Sequence, residues 1–269
     1  MCNLYSMTSN QDAIRQLTQY FRSSIGNLKP SPAIFANGFG PVIRATQEGR
    51  ELAQCRWGMP SHPFNLRGKN YDSGITNCRE LTKKHWQQWM GLSERAVVPV
   101  TSFCEPNHIT KENTWFALGE DRPLFFFAGL WTPQWTSVRK VKEGETTHDL
   151  YAFVTTQANA EVKPIHPKAM PLILRTQEEI DFWFGASYED VLAFQEAGVA
   201  DGTFQIVGRG RKLDHPEGMV FEEDDALGRT EPGADRAIRD QGMQPPQRRS
   251  ECRNTSRLVI DPAVPFAGK

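Results

Sequence analysis

The sequence lacks the features that would fix a metal site or a disulfide framework. Its five cysteines, at 2, 55, 78, 104 and 252, are odd in number, and no two stand in CxxC spacing. Neither a stapled secreted domain nor a zinc site is expected from such a set, whereas a reducing compartment is. Long apolar runs are also missing. The stretch Leu124–Leu130 is far too short to cross a bilayer and reads as a buried strand. The N-terminus has no basic segment followed by an apolar run, so no secretory signal is expected and a cytoplasmic protein is the default (nucleoid-associated if the source is bacterial). Nor is there an excess of charge. Lys and Arg number 31 against 32 Asp and Glu, for a formal net charge of −1. Any anionic partner must therefore be held by a local patch. No internal repeat is visible.

At 269 residues the chain can form one large domain or two small ones. Short β-rich runs dominate up to about residue 220, with helices inserted between them and no βαβ alternation. The pattern predicts an α+β fold built on antiparallel sheet. A strand is expected over 2–7, then a helix capped by Ser9 with Ile14, Leu17 and Phe21 on its apolar stripe. Ser23 to Gly40 reads as loop. Strands at 41–46 and 51–57 should pair around Glu48-Gly49-Arg50. A helix is expected over 79–90, with Leu81, Trp86 and Trp89 inward. A β-run over 96–103 should stop at Cys104-Glu105-Pro106. Strands at 114–118 and 123–131 should pair with each other, and further strands are expected at 150–157, 171–174 and 203–207. Thr176 and Glu179 match a capping box, and a second helix should follow from Ser187 to Gly198. Past residue 220 acidic and Arg/Gln/Pro-rich segments replace apolar periodicity, so 221–269 is expected to be a mostly disordered tail.

The residue with the most chemical promise is the second. Cys is small enough for an initiator Met before it to be removed. A chain beginning at Cys2 carries an α-amine and a thiol on adjacent carbons, titrating near ~8 and ~8.5 in model compounds. An aldehyde meeting that pair can form a Schiff base and close to a five-membered thiazolidine. Three segments offer partners. In Gly74-Ile75-Thr76-Asn77-Cys78-Arg79-Glu80, Asn77 can cap a helix or hold a substrate oxygen, and Arg79 can bind phosphate. Glu105 ends an apolar strand, where desolvation raises a carboxyl pKa toward the range useful for proton exchange. His166 sits among prolines 164, 167 and 171, a rigid mount for an acid–base group.

The order and spacing of these elements resemble the SOS-response-associated peptidase family, whose members process abasic sites in single-stranded DNA. The matching elements are Met1-Cys2, Arg56-Trp57-Gly58-Met59-Pro60, Asn77-Cys78-Arg79-Glu80, Phe103-Cys104-Glu105-Pro106, and Ile165-His166 through Met170-Pro171-Leu172-Ile173-Leu174. Together they span about residues 1 to 210. The resemblance implies a barrel-like core of antiparallel sheet with surrounding helices, in a domain covering 1–220. It implies that Cys2 forms a thiazolidine with the ring-opened sugar and that Asn77 orients that sugar. Glu105 would handle protons at the amine, and His166 would act as general acid on the sugar oxygen. Arg79 would contact phosphate, with Lys168 and Arg209 as further cations, as would Lys69, Arg211 and Lys212. Trp57, Met59 and Pro60 would approach the bases, although Trp57 can equally be core. No cofactor or metal is implied. The expected partner is single-stranded DNA containing abasic sites, met by a monomer away from membranes.

The chain departs from the family pattern in three places. Asn3 and Leu4 stand where the family continues Gly-Arg, so a cation near phosphate is lost. Ala169 replaces an Arg before Met-Pro, with Lys168 beside it. Ile34 to Gly40 replaces the usual Tyr-Asn-containing loop. Two other functions fit the same residues: an N-terminal-nucleophile peptidase or amidase with Cys2 attacking and His166 as base, and a non-catalytic single-stranded-DNA-binding module.

Overall fold

The computed structural model describes residues 2–20 and 22–219, all within one compact unit, Met1–Pro232. The expected tail, 221–269, lies outside the described residues. In chain order the first strands are β1 (Leu4–Met7), β2 (Arg22–Ser23), β3 (Ser31–Phe35), β4 (Phe39–Thr46) and β5 (Gly49–Trp57). Next come β6 (Asn77–Cys78), β7 (Arg95–Val100), β8 (Ser102–Pro106), β9 (Asn113–Ala117) and β10 (Phe125–Val138). The last are β11 (Glu145–Thr156), β12 (Met170–Pro171), β13 (Ile173–Leu174) and β14 (Gln205–Arg209). The helices are α1 (Gln11–Thr18), α2 (Lys84–Gln87), α3 (Gln177–Gly185) and α4 (Tyr188–Ala197).

Five strands close into a barrel in the order β5-β4-β7-β10-β11, and β11 returns to β5 through a short parallel pairing, Leu150↔Arg56 and Tyr151↔Trp57. Closure removes the free edges that an open sheet would present. A second, five-stranded sheet runs β14-β9-β8-β1-β3 and packs one face on the barrel. The fold is α+β, as the sequence predicts. The shared interior is aromatic. Tyr5 from β1 meets Trp57 at 5.3 Å and Phe127 at 6.0 Å between ring centroids, and Phe127 meets Phe153 at 4.5 Å. Each such ring, fully enclosed, stabilises the fold by roughly 2–3 kcal/mol through burial.

The 41–46/51–57 hairpin forms, with Ala45↔Arg50 and Thr46↔Gly49 at its end. The capping box forms as well, with Thr176 Oγ1 accepting from Glu179 N. Other expectations are corrected. Asn10, not Ser9, caps α1, its side chain accepting from Ala13 N at 2.8 Å. Part of the supposed 23–40 loop is β3, an edge strand in which Pro32 costs no ladder bond on its open side. Strands β9 and β10 do not pair with each other. The turn through Gly119 and Arg122 sends β9 to the outer sheet and β10 to the barrel. Of the expected helix over 79–90, only Lys84–Gln87 is helical, although Leu81, Trp86 and Trp89 are buried as predicted.

The outer face of the five-stranded sheet carries a smaller apolar cluster: Leu4, Ala33, Cys104, Trp115, Ala117 and Val207. The chain after β14 straps over it. Trp115 Nε1 donates to Arg211 O at 3.0 Å, and Arg122 reaches the buried Asp214 carboxylate at 3.0 Å. Ser102 Oγ donates to the same carboxylate at 2.6 Å.

Candidate active site

Strand β1 delivers Cys2 to the place where the barrel and the outer sheet meet. The side chain is wholly enclosed and belongs to the main core, with Sγ donating to Leu4 O at 3.3 Å. Burial pushes the thiol well above its ordinary pKa, and Glu105, wherever it is ionised, pushes it further. Cys2 is therefore a thiol near neutrality and must lose its proton to a neighbour before it can attack.

Asn77 lies on β6, which pairs in parallel with β11 at Phe153↔Asn77. The asparagine is thus a strand residue, and the helix-capping alternative is excluded. Its Nδ2 donates to Cys2 O at 2.9 Å and to Thr76 Oγ1 at 2.7 Å. Its Oδ1 is buried and has no hydrogen-bond partner among the described residues. An orphaned buried acceptor is costly, and it belongs to the same amide whose Nδ2 holds the Cys2 carbonyl. Trp57 supports this segment, its Nε1 donating to Thr76 O at 3.0 Å.

Glu105 sits inside β8, in register with Thr114 on β9, rather than beyond the strand's end. It is fully buried, and desolvation raises its carboxyl from the ordinary 4.5 to about 8. Near neutrality it is largely the neutral acid, a proton donor. His166 lies in the proline-bounded turn before β12, its N–H donating to Val162 O at 2.8 Å. Its Nδ1 lies 2.8 Å from Ala169 O and 3.6 Å from Glu105 Oε2. Desolvation lowers its pKa, so the ring is neutral at pH 7. A neutral ring facing a carbonyl with Nδ1 carries its proton there, leaving the lone pair on Nε2. Burial thus biases Glu105 toward its protonated form and His166 toward the neutral ring.

The four residues singled out in the sequence thus form one connected group: Asn77 on Cys2, Cys2 under the field of Glu105, and Glu105 beside His166. The outer residues divide. Arg79, Lys168 and Arg209 are all exposed. Arg79 follows Asn77 by two residues, Lys168 follows His166 by two, and Arg209 shares a cross-strand row with Glu105 through Thr114. Trp57 and Met59 have no exposed surface, and Pro60 is buried. None of those three offers a face to a base. Their family motif instead builds the wall behind Thr76 and Asn77. A cavity of about 470 Å³ lies close by, lined by Asn3, Leu4, Phe35, Cys104, Pro106, Asn113 and Lys212. Strand alternation puts Leu4 and Cys104 on the outer face and Phe103 and Glu105 on the barrel face, so this cavity is not where Glu105 acts. Among the described residues no cluster of His, Cys, Asp and Glu could hold a metal.

Sequence reasoning missed Arg139. It is buried, its Nη2 donates to Gly58 O at 2.7 Å, and it faces the buried Asp72 carboxylate at 3.8 Å. Asp72 accepts in turn from Ser61 N at 2.9 Å and Gly74 N at 2.8 Å. One guanidinium and one carboxylate therefore fasten both ends of the 58–74 loop that leads into Asn77. No motif marks Arg139, because its partners lie 65 or more residues away by number.

A closed barrel with an attached antiparallel sheet, holding residue 2 among an amide, a carboxyl and an imidazole, defines an α+β protein with its candidate chemistry at the start of the chain. The model of the SOS response associated peptidase (SRAP) family matches residues 1–201, and the chain belongs to that family. Solved structures agree on the fold. A protein from Bordetella bronchiseptica is 19% identical with a TM-score of 0.57, the alignment covering 76% of this chain and 97% of the other. One from Bacteroides thetaiotaomicron is 21% identical with a TM-score of 0.58, covering 76% and 90%. A phage-related protein from Bordetella bronchiseptica is 18% identical with a TM-score of 0.54, covering 76% and 92%. No curated protein matches the chain. Membership of a family named for the SOS response associates the chain with DNA damage. No helix among the described residues is long and apolar enough to cross a membrane.

Proposed function

We propose that the chain, once Met1 is removed, captures abasic sites in single-stranded DNA as a covalent thiazolidine on Cys2. The observation that carries the reading is the gathering of Asn77, Glu105 and His166 around residue 2. The ring-opened abasic sugar presents an aldehyde. The Cys2 amine adds to it, and Glu105, protonated near neutrality, supplies the proton with which the hydroxyl leaves as water. The product is an imine. His166 Nε2, or the Glu105 carboxylate just formed, takes the thiol proton. Sulfur then attacks the imine carbon, and nitrogen receives a proton to complete the five-membered ring. Asn77 Oδ1 accepts from the amine or a sugar hydroxyl and holds the reactants in place, which replaces encounters in solution by an intramolecular closure. Arg79, Lys168 and Arg209 hold phosphates.

The family's name keeps a second reading open: the same thiol attacking a peptide carbonyl, with His166 as base. Intact mass before and after incubation with an abasic oligonucleotide separates the two. The expected result is a chain lacking Met1 that gains the mass of the oligonucleotide less one water, with no thiazolidine from Cys2→Ala. A chain that retains Met1, or that turns over peptides undisturbed by competing single-stranded DNA, would remove the proposed capture.

A further inference from the structure

The loop between Pro60 and Gly74 carries an exposed arm that the capture chemistry does not use. Ser61 to Tyr71 contains His62, Phe64, Arg67, Lys69 and Tyr71 and no acidic residue. Its one turn of 3-10 helix, Pro63–Leu66, is held by His62 Nδ1 accepting from Phe64 N at 3.2 Å. Phe64 is 63% exposed and Tyr71 44%, a large apolar surface to leave in water. The Arg67 guanidinium lies 4.8 Å over the Phe64 ring, steadying the ring from one side. Neither Arg67 nor Lys69 has an acidic partner among the described residues. The first acid that follows, Asp72, is buried and turned inward to Arg139. The base of the arm is pinned by Asp72 and by the Met59↔Ile75 bridge, while its tip projects into solvent. The chain then runs directly into Thr76 and Asn77. Asn77 is six positions after Tyr71, at most roughly 20 Å of backbone.

We propose that this arm is a stacking platform for the undamaged single strand flanking the captured site, with Phe64 and Tyr71 under successive bases and Arg67 and Lys69 on the phosphates. Exposed aromatic rings interleaved with cations that have no acidic partner among the described residues are what a single strand needs: every base has a π-face, and every linkage a negative charge. The inference rests on the proposed capture of abasic single strands and adds a contact surface to it. It also relocates the aromatic contacts. The rings that could have served in the Trp57-Gly58-Met59-Pro60 segment are buried, and those on the arm are not.

The test is binding of an undamaged fluorescent single-stranded oligonucleotide, followed by anisotropy over a range of salt. We expect the Phe64→Ala/Tyr71→Ala chain to bind about tenfold more weakly. We expect Arg67→Gln/Lys69→Gln to lower the slope of log affinity against log salt by about 1.4. Circular dichroism and thermal unfolding should be unchanged, because all four side chains are exposed. A duplex of the same sequence should not respond to the aromatic pair. Variants that bind the single strand as the parent chain does would overturn the platform, as would an equal loss on the duplex. Adduct formation at Cys2, read by mass on the same variants with saturating abasic strand, reports on the capture separately. Normal adduct with normal binding refutes the arm alone, and arm-dependent binding without adduct refutes the capture alone.

Discussion

Glu105 concentrates the electrostatic tension of the pocket in one side chain. Its carboxyl titrates at about 8 in the folded chain against an ordinary 4.5, so between those values the folded state holds a proton that the unfolded state has released. Stability must then fall as pH rises through that window, because the unfolded state binds fewer protons there. Glu105→Gln keeps the shape and removes the titration. It is expected to flatten the decline and to gain about 4 kcal/mol over the parent chain at pH 8. Urea unfolding at pH 5 and pH 8 measures it, and equal slopes for the two chains would place Glu105 in water. The same substitution should slow adduct formation, so that stability and capture move in opposite directions. At this scale the members of the candidate site were legible in the sequence. Cys2, Asn77, Glu105 and His166 each belong to a residue type suited to its chemistry, and their order along the chain supplied the rest. The helix-cap alternative for Asn77 arose because Asn before a polar, helix-prone segment has that signature; only pairing with β11 settles it. The protonation states of Glu105 and His166 were not legible, since they depend on burial and on the Ala169 carbonyl.

The elements show where local signals end. The β4–β5 hairpin and the capping box of α3 are encoded within a few residues, and both form as read. Strand β3 was hidden because Pro30 and Pro32 read as loop, whereas an edge position tolerates them. The segment after Asn77 buries the expected Leu81, Trp86 and Trp89 without continuous helix: turns can bury side chains at that spacing as well as a helix can. The 58–74 loop makes the point most sharply, since its shape is imposed by Arg139 from just past the end of β10. Gly74 has φ +78°, and a Cβ there would stand 2.2 Å from Arg139 Nη2. Gly74→Ala therefore meets both a backbone penalty and a displaced guanidinium, and should lose about 2–3 kcal/mol of stability. Because Asn77 is three residues downstream, adduct formation should slow beyond what the lost stability accounts for at a temperature where both chains are folded. Thermal unfolding together with initial capture rates checks this. A rate equal to that of the parent chain would mean that the loop does not transmit its geometry to Asn77.

At the scale of the molecule, the pocket exists because two sheets meet: the barrel supplies β6, and the outer sheet supplies β1 and β8. Neither barrel closure nor the junction could be read from periodicity, because β5 and β11 are about a hundred residues apart and pair in parallel over two residues only. The family model matches residues 1–201, yet the fold continues past it. Strand β14 extends the outer sheet, and Asp214, with no exposed surface, ties the following strap to Arg122 and to Ser102 at the start of β8. Removing one partner of a buried ion pair leaves a charge without compensation, at a cost of about 3–5 kcal/mol. Asp214→Ala should fall in that range and lower the midpoint of urea unfolding accordingly. Asp214→Asn, which keeps an acceptor for Ser102 and Arg122, should lose less. Since Ser102 opens the strand that carries Glu105, the alanine chain should also capture more slowly while still folded. If its unfolding midpoint matched that of the parent chain, residues beyond 201 would be an appendage to the outer sheet rather than part of what holds Glu105 against Cys2.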